Sequence, residues 1–167
     1  AAGTDACAAL EPSPACAHPV VAPSCNDGWC LIRAGCFIMG SPPCEWGRGR
    51  FSETESETSL THAFYMQEKE LTIAEWGATG EPNVTLMRDA GVAQCVEASC
   101  PVAQVNWYEA LRFANTYSAW KGLPECYRVE GCTSDAGTGV YGPTCANVSV
   151  IGPSVYDCTG YRLPTEA

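Results

Sequence analysis

Apolar and polar positions alternate along this 167-residue chain with two periods, and the clearest stretch has the helical one. In residues 101–125, PVAQVNWYEALRFANTYSAWKGLPE, the positions Trp107, Ala110, Leu111, Ala114, Tyr117 and Lys121 follow the i, i+3, i+4, i+7 series. This predicts an amphipathic helix with that stripe turned inward and the Lys121 stem lying along its edge. Glu109, Arg112, Asn115 and Ser118 fall off the stripe. Asn106 is placed to cap the start, with Glu109 three residues later as the capping-box acid. Gly122 is placed to end the helix, and Pro124 prevents its resumption. A second capping box, Thr72-Ile73-Ala74-Glu75, predicts a short helix from Ile73 that carries Trp76 inward. Gly77 and Gly80 keep it brief.

The shorter period marks strands. Residues 29–40, WCLIRAGCFIMG, predict a strand pair or a strand with a tight turn at Ala34-Gly35, ended by Gly40-Ser41-Pro42-Pro43. Met39 reads as core. Residues 60–66 alternate as a strand, which would place His62 half-buried on one face with Phe64 and Met66. Residues 147–151 and 155–156 flank Gly152-Pro153-Ser154 and predict a hairpin. Residues 44–59 read as an exposed acidic loop. Glu53, Glu55 and Glu57 lack the order of an EF-hand, so solvation explains them, and calcium is left open as a cofactor. Residues 1–28 are rich in Ala, Pro and Ser, with Cys7, Cys16 and Cys25 nine residues apart. They predict an extended linker pinned by disulfides, with His18 solvated.

Composition narrows the function classes. Hydrophobic residues at 46% and charged ones at 17% describe a globular chain. No apolar run reaches the length of a membrane span. A net charge of −10 argues against a nucleic-acid partner, whose phosphates are met by Lys and Arg. Twelve cysteines, none spaced C-x-x-C, stand beside only two histidines, His18 and His62. Zinc and thioredoxin-like readings therefore give way to disulfides made in an oxidising compartment, which implies a secreted, periplasmic or cell-surface location. The candidate cross-links are Cys95 with Cys100, Cys126 with Cys132, and Cys145 with Cys158, the last across the open ends of the expected hairpin. Asn83 and Asn147 stand in glycosylation sequons. No Ser-His-Asp set or P-loop is present, and Gly137-Thr138-Gly139 reads as a loop.

Five motifs stand in order: RAGCFIMGS, KELTIAEW, VNWYEALRFAN, GLPECYRVEGC and GYRLPTEA. Together they resemble the formylglycine-generating enzyme, or sulfatase-modifying factor, family over residues 29–167. The resemblance implies an α+β, irregular mixed fold, distantly like C-type lectins, here disulfide-rich and truncated. It implies a family reaction in which a sulfatase cysteine is oxidised to formylglycine with copper and dioxygen. The cysteine pair that carries this reaction in the family lies beyond the RLPTEA motif. The expectation is therefore an N-terminal portion of such a domain with no catalytic residue and no copper site of its own. Its missing C-terminal part would be a partner, covering the helix, Trp107 and Trp120. The alternative is a non-catalytic module of the same fold that binds a protein or carbohydrate.

Overall fold

The computed structural model describes residues 16–19, 22–42, 45–48, 53–81, 84, 95–133 and 142–165. Cys7, Cys44, Asn83 and residues 137–139 lie outside the described residues. The chain divides into two units, Ala1–Glu68 with Glu166–Ala167, and Lys69–Thr165. The described elements are short strands and helices of an α+β, disulfide-rich fold.

In the first unit, β1 (Ser24–Asn26) and β2 (Trp29–Ile32) form an antiparallel hairpin. Asp27 and Gly28 make its two-residue turn with φ of 51° and 80°. That conformation twists in the same sense as the strands it joins, which is why Asp-Gly suits it. Cys25 and Cys30 are register partners across the hairpin and are disulfide-bonded. β5 (Phe64–Gln67) pairs with the other edge of β2, so the sheet order is β1-β2-β5. β3 (Gly35–Met39) pairs with β4 (Ser56–Leu60) in a separate two-stranded sheet. Residues 29–40 thus hold two strands that do not pair with each other. Each finds its partners outside the run, which local periodicity does not encode.

Three further expectations change in this unit. The described part of the segment read as a disulfide-pinned linker is pinned, by Cys16–Cys36 and Cys25–Cys30, and it also pairs: β1 lies in it, and the Cys36 N–H donates to the His18 carbonyl at 2.8 Å. Residues 60–66 are not one strand. Leu60 ends β4, residues 61–63 turn, and β5 starts at Phe64. His62 is exposed in that turn, its Nδ1 2.8 Å from the Thr61 hydroxyl. The acidic loop is also shorter than read, because Ser56–Leu60 pairs with β3 and sets Glu57 opposite Ile38. Alternating glutamates are compatible with a half-exposed strand, whose outer face is polar.

The second unit is built around α1 (Ile73–Ala78) and α2 (Trp107–Trp120). Both capping boxes form. Thr72 Oγ1 accepts the Glu75 N–H at 3.2 Å, and Glu75 accepts the Thr72 N–H at 2.9 Å. Asn106 Oδ1 accepts the Glu109 N–H at 2.9 Å, and Glu109 accepts the Asn106 N–H at 2.9 Å. At the far end of α2, Gly122 has φ of 72°. Its N–H donates to the Ala119 carbonyl at 3.0 Å, and the Leu123 N–H donates to the Ser118 carbonyl at 2.8 Å. These two bonds are a Schellman motif, the reason a glycine stands there.

The buried face of α2 differs from the expected stripe. Glu109, Leu111, Phe113, Ala114, Tyr117 and Ser118 are buried, whereas Trp107 is 55% exposed. Two neighbours widen the face. Phe113 and Tyr117 pack with Trp76 of α1 and Val84, while Leu111 and Ala114 pack with Cys126 and Tyr127. Tyr127 opens β6 (Tyr127–Glu130), which pairs antiparallel with β7 (Asn147–Val150). The expected 147–156 hairpin is therefore absent. β7 takes the earlier β6 as its partner, and Val155–Asp157 is a 3₁₀ turn in which Ser154 Oγ accepts the Tyr156 N–H at 3.2 Å. Asn147 is exposed at the start of β7.

Candidate functional site

The C-terminal half of α2 organises the most chemically distinctive cluster among the described residues. Helical spacing aligns Phe113, Tyr117 and Trp120 along one side. Trp76 stacks on Phe113 with ring centres 4.2 Å apart, and Phe113 lies 5.6 Å from Tyr117. Tyr117 meets Tyr161 edge-on at 4.5 Å and Trp120 at 5.5 Å. The cluster runs from buried Trp76 to Trp120, which is 52% exposed. Lys121 Nζ sits 4.1 Å from the centre of the Trp120 ring, a cation–π contact that closes the exposed end. Burial pushes the Tyr117 phenol above its ordinary value of 10.0, and the Tyr161 phenol and Glu75 carboxylate raise it further. Burial raises Tyr161 likewise.

Tyr161 is held in place by backbone anchoring of residues 160–163. Ser118, fully buried, donates its hydroxyl to the Ala114 carbonyl at 2.7 Å and accepts the Tyr161 N–H at 2.7 Å. The Tyr127 hydroxyl accepts the Leu163 N–H at 3.0 Å. A side chain at Gly160 would meet the Pro124 carbonyl oxygen at 2.0 Å and Ser118 Oγ at 2.8 Å, so only glycine permits this approach. Asn115 joins α2 to β6 in the same manner. Its Nδ2 donates to the Tyr127 carbonyl at 2.6 Å, while its Oδ1 accepts the N–H groups of Cys126 and Tyr127, each at 3.1 Å. The helix pattern marked Asn115 and Ser118 only as off-stripe polar residues. Both instead satisfy backbone groups of a chain segment that sequence spacing does not place beside them.

The cysteine candidates are all cross-linked, but two expected pairs are exchanged. Cys95 is bonded to Cys100. Cys126 is bonded to Cys158, not Cys132, and Cys132 to Cys145, so Cys145 is not the partner of Cys158. The register supplies the cause. Tyr127 faces Val150 and Glu130 faces Asn147, which brings Cys132 and Cys145 together just past the β6–β7 ladder. The 3₁₀ turn then brings Cys158 back to Cys126. With Cys16–Cys36 and Cys25–Cys30, all ten described cysteines are disulfide-bonded. Among the described residues, no three His, Cys, Asp or Glu side chains form a group able to hold a metal ion.

This arrangement offers aromatic faces, two neutral phenols and an ammonium group. It presents no thiolate pair, so these residues do not fit a copper ion of the kind the resembled family uses. The sequence model of the sulfatase-modifying factor enzyme 1-like domain matches residues 18–167. The chain belongs to this family. Its VNWYEALRFAN motif holds the N-cap and much of the body of α2, and its GYRLPTEA motif holds Tyr161 and Leu163, whose N–H groups donate to the Ser118 and Tyr127 hydroxyls. No curated protein matches the chain. Among solved structures, Treponema denticola variable protein 1 is similar at 24% identity with a TM-score of 0.44, covering 68% of this chain and 36% of that one. PvdO from Pseudomonas aeruginosa is similar at 18% identity with a TM-score of 0.43, covering 68% of this chain and 48% of that one. The chain thus spans less than two thirds of the length of either. The disulfides agree with a non-cytoplasmic compartment, and no described helix is long and apolar enough to cross a membrane.

Proposed function

We propose that the chain is a non-catalytic, disulfide-stapled portion of an exported sulfatase-modifying-factor-type domain, and that its role is binding. The observation that carries this reading is the oxidised state of all ten described cysteines. Copper-dependent cysteine oxidation needs thiolates to hold Cu(I), and a sulfur committed to a disulfide has no thiolate to offer. Within the second unit, exposed Trp107 and Trp120 support a protein or carbohydrate ligand, since tryptophan adds large contact area with few rotatable bonds. Secretion, the periplasm and the cell surface all satisfy the demand for an oxidising environment.

Titration of the non-reduced chain with Cu(I) against a competing chelator tests the reading. No stoichiometric binding is expected. One tightly held equivalent would overturn it. The second reading is a portion of a catalytic oxidase whose thiolates lie elsewhere in a longer protein, and it draws on family membership over residues 18–167. It requires the longer protein to convert a cysteine in a sulfatase-derived peptide to an aldehyde, read by mass spectrometry.

A further inference from the structure

We propose that Tyr117 and Tyr161 form an oxidative cross-linking site, with Trp120 relaying oxidising equivalents to it from the surface. The geometry is the basis. Two phenol rings joined by one carbon–carbon bond have centres about three aromatic bond lengths apart, two ring radii plus the bond. The Tyr117 and Tyr161 centres already stand 4.5 Å apart at an interplanar angle of 63°, the edge of one ring against the face of the other, so side-chain rotation of one ring is what brings two ortho edges together. The Ser118 hydroxyl holds the Tyr161 backbone at 2.7 Å, and the close fit at Gly160 restricts its retreat. Tyr117 is buried on α2, within the stack made by Phe113 and Trp76. Neither ring needs a large backbone movement to meet the other.

The chemistry balances with a one-electron oxidant, used twice. The oxidant takes an electron from exposed Trp120, which loses its indole proton. Trp120 recovers an electron and a proton from Tyr117 across 5.5 Å, leaving a Tyr117 phenoxyl radical. A second oxidation produces the Tyr161 phenoxyl. The radicals couple at their ortho carbons, and the two ortho hydrogens move to the oxygens as the rings regain aromaticity. The net change is two phenols to one biphenol, with two electrons passed to the oxidant and two protons released. The inference is independent of whether the domain binds or catalyses, because it uses only the packing around α2.

Photo-oxidation of the dilute, non-reduced chain with tris(bipyridyl)ruthenium(II) and persulfate tests it. Expected are dityrosine emission and a peptide cross-linked between Tyr117 and Tyr161, two hydrogens lighter than its parts, in a yield independent of protein concentration. Tyr161→Phe removes this peptide, whereas Tyr65→Phe, on exposed β5, leaves it unchanged. Trp120→Phe slows its formation several-fold. Coupling confined to other tyrosines, or emission retained in full by Tyr161→Phe, would overturn the site. An unchanged rate in Trp120→Phe would overturn the relay. Circular dichroism of the three variants before oxidation confirms that each starts folded; their substitutions remove a hydroxyl or exchange one exposed ring for another.

Discussion

Single polar groups hold much of the second unit together. Ser118, Asn115 and Tyr127 each place one side-chain oxygen where a partly or fully buried backbone N–H would otherwise lack this acceptor. Leaving such a donor unsatisfied costs about 1–3 kcal/mol, more than the bond itself contributes net. Tyr117 makes a sharper, pH-dependent case. Its folded pKa lies above the ordinary 10.0, so the folded state binds the phenolic proton more tightly than the unfolded chain does. The stability linked to it is complete below the unfolded value and is lost as pH rises through the folded one. Thermal melts followed by circular dichroism should hold steady to about pH 9 and fall above about pH 10, where the folded state keeps phenolic protons on Tyr117 and the likewise raised Tyr161 that the unfolded chain has released. Tyr117→Phe should lessen that fall, leaving the part that Tyr161 contributes. A wild-type melting temperature that does not change across this range would contradict the assignment.

The helices show how far local signals reach. Both capping boxes and the Schellman end of α2 are written in contiguous residues and form as their spacing predicts. The inward face of α2 is not so contained. Periodicity placed Trp107 on the buried stripe and left Phe113 off it, yet Trp107 is exposed and Phe113 lies between Trp76 and Tyr117. A wide apolar face has several admissible orientations, and the partners decide among them. The energetic consequence is direct. Phe113→Ala should destabilise by about 3–5 kcal/mol, the cost of emptying a buried aromatic site. Trp107→Ala should change stability by within about 0.5 kcal/mol, as exposed substitutions away from such sites do. Urea denaturation of both variants checks the pair, and a larger loss at Trp107 would restore the original face.

Across the full chain, disulfides and strand register are coupled. Cys132–Cys145 prolongs the β6–β7 ladder, and Cys126–Cys158 closes a separation of 32 residues over the core formed by Leu111, Ala114 and Tyr127. Replacing Cys126 and Cys158 together by serine should cost about 2–5 kcal/mol, since the unfolded chain regains the freedom the bridge removed. Thermal or chemical denaturation measures that loss. Peptide mapping without reduction should recover Cys126 linked to Cys158 and Cys132 linked to Cys145. Recovery of Cys126 linked to Cys132 would contradict the register. Aromatic burial adds a second frame to this one. Trp76, Val84, Phe113 and Tyr117 form a cluster distinct from the one under β6.

Much is legible in the sequence itself: the two capped helices, a non-cytoplasmic compartment, the family and its α+β character. Those properties depend on neighbours within a turn or two, on composition, or on ordered motifs. The Asp27-Gly28 hairpin was equally local, and the dipeptide could have revealed it inside the presumed linker. Pairing was another matter. Which strand β2, β3 or β7 would meet, which cysteines would face one another, and which side of α2 would be covered all depend on residues far apart in sequence. Those contacts come into being only as the chain collapses, when register and burial select one arrangement from several that local preference leaves equal in energy.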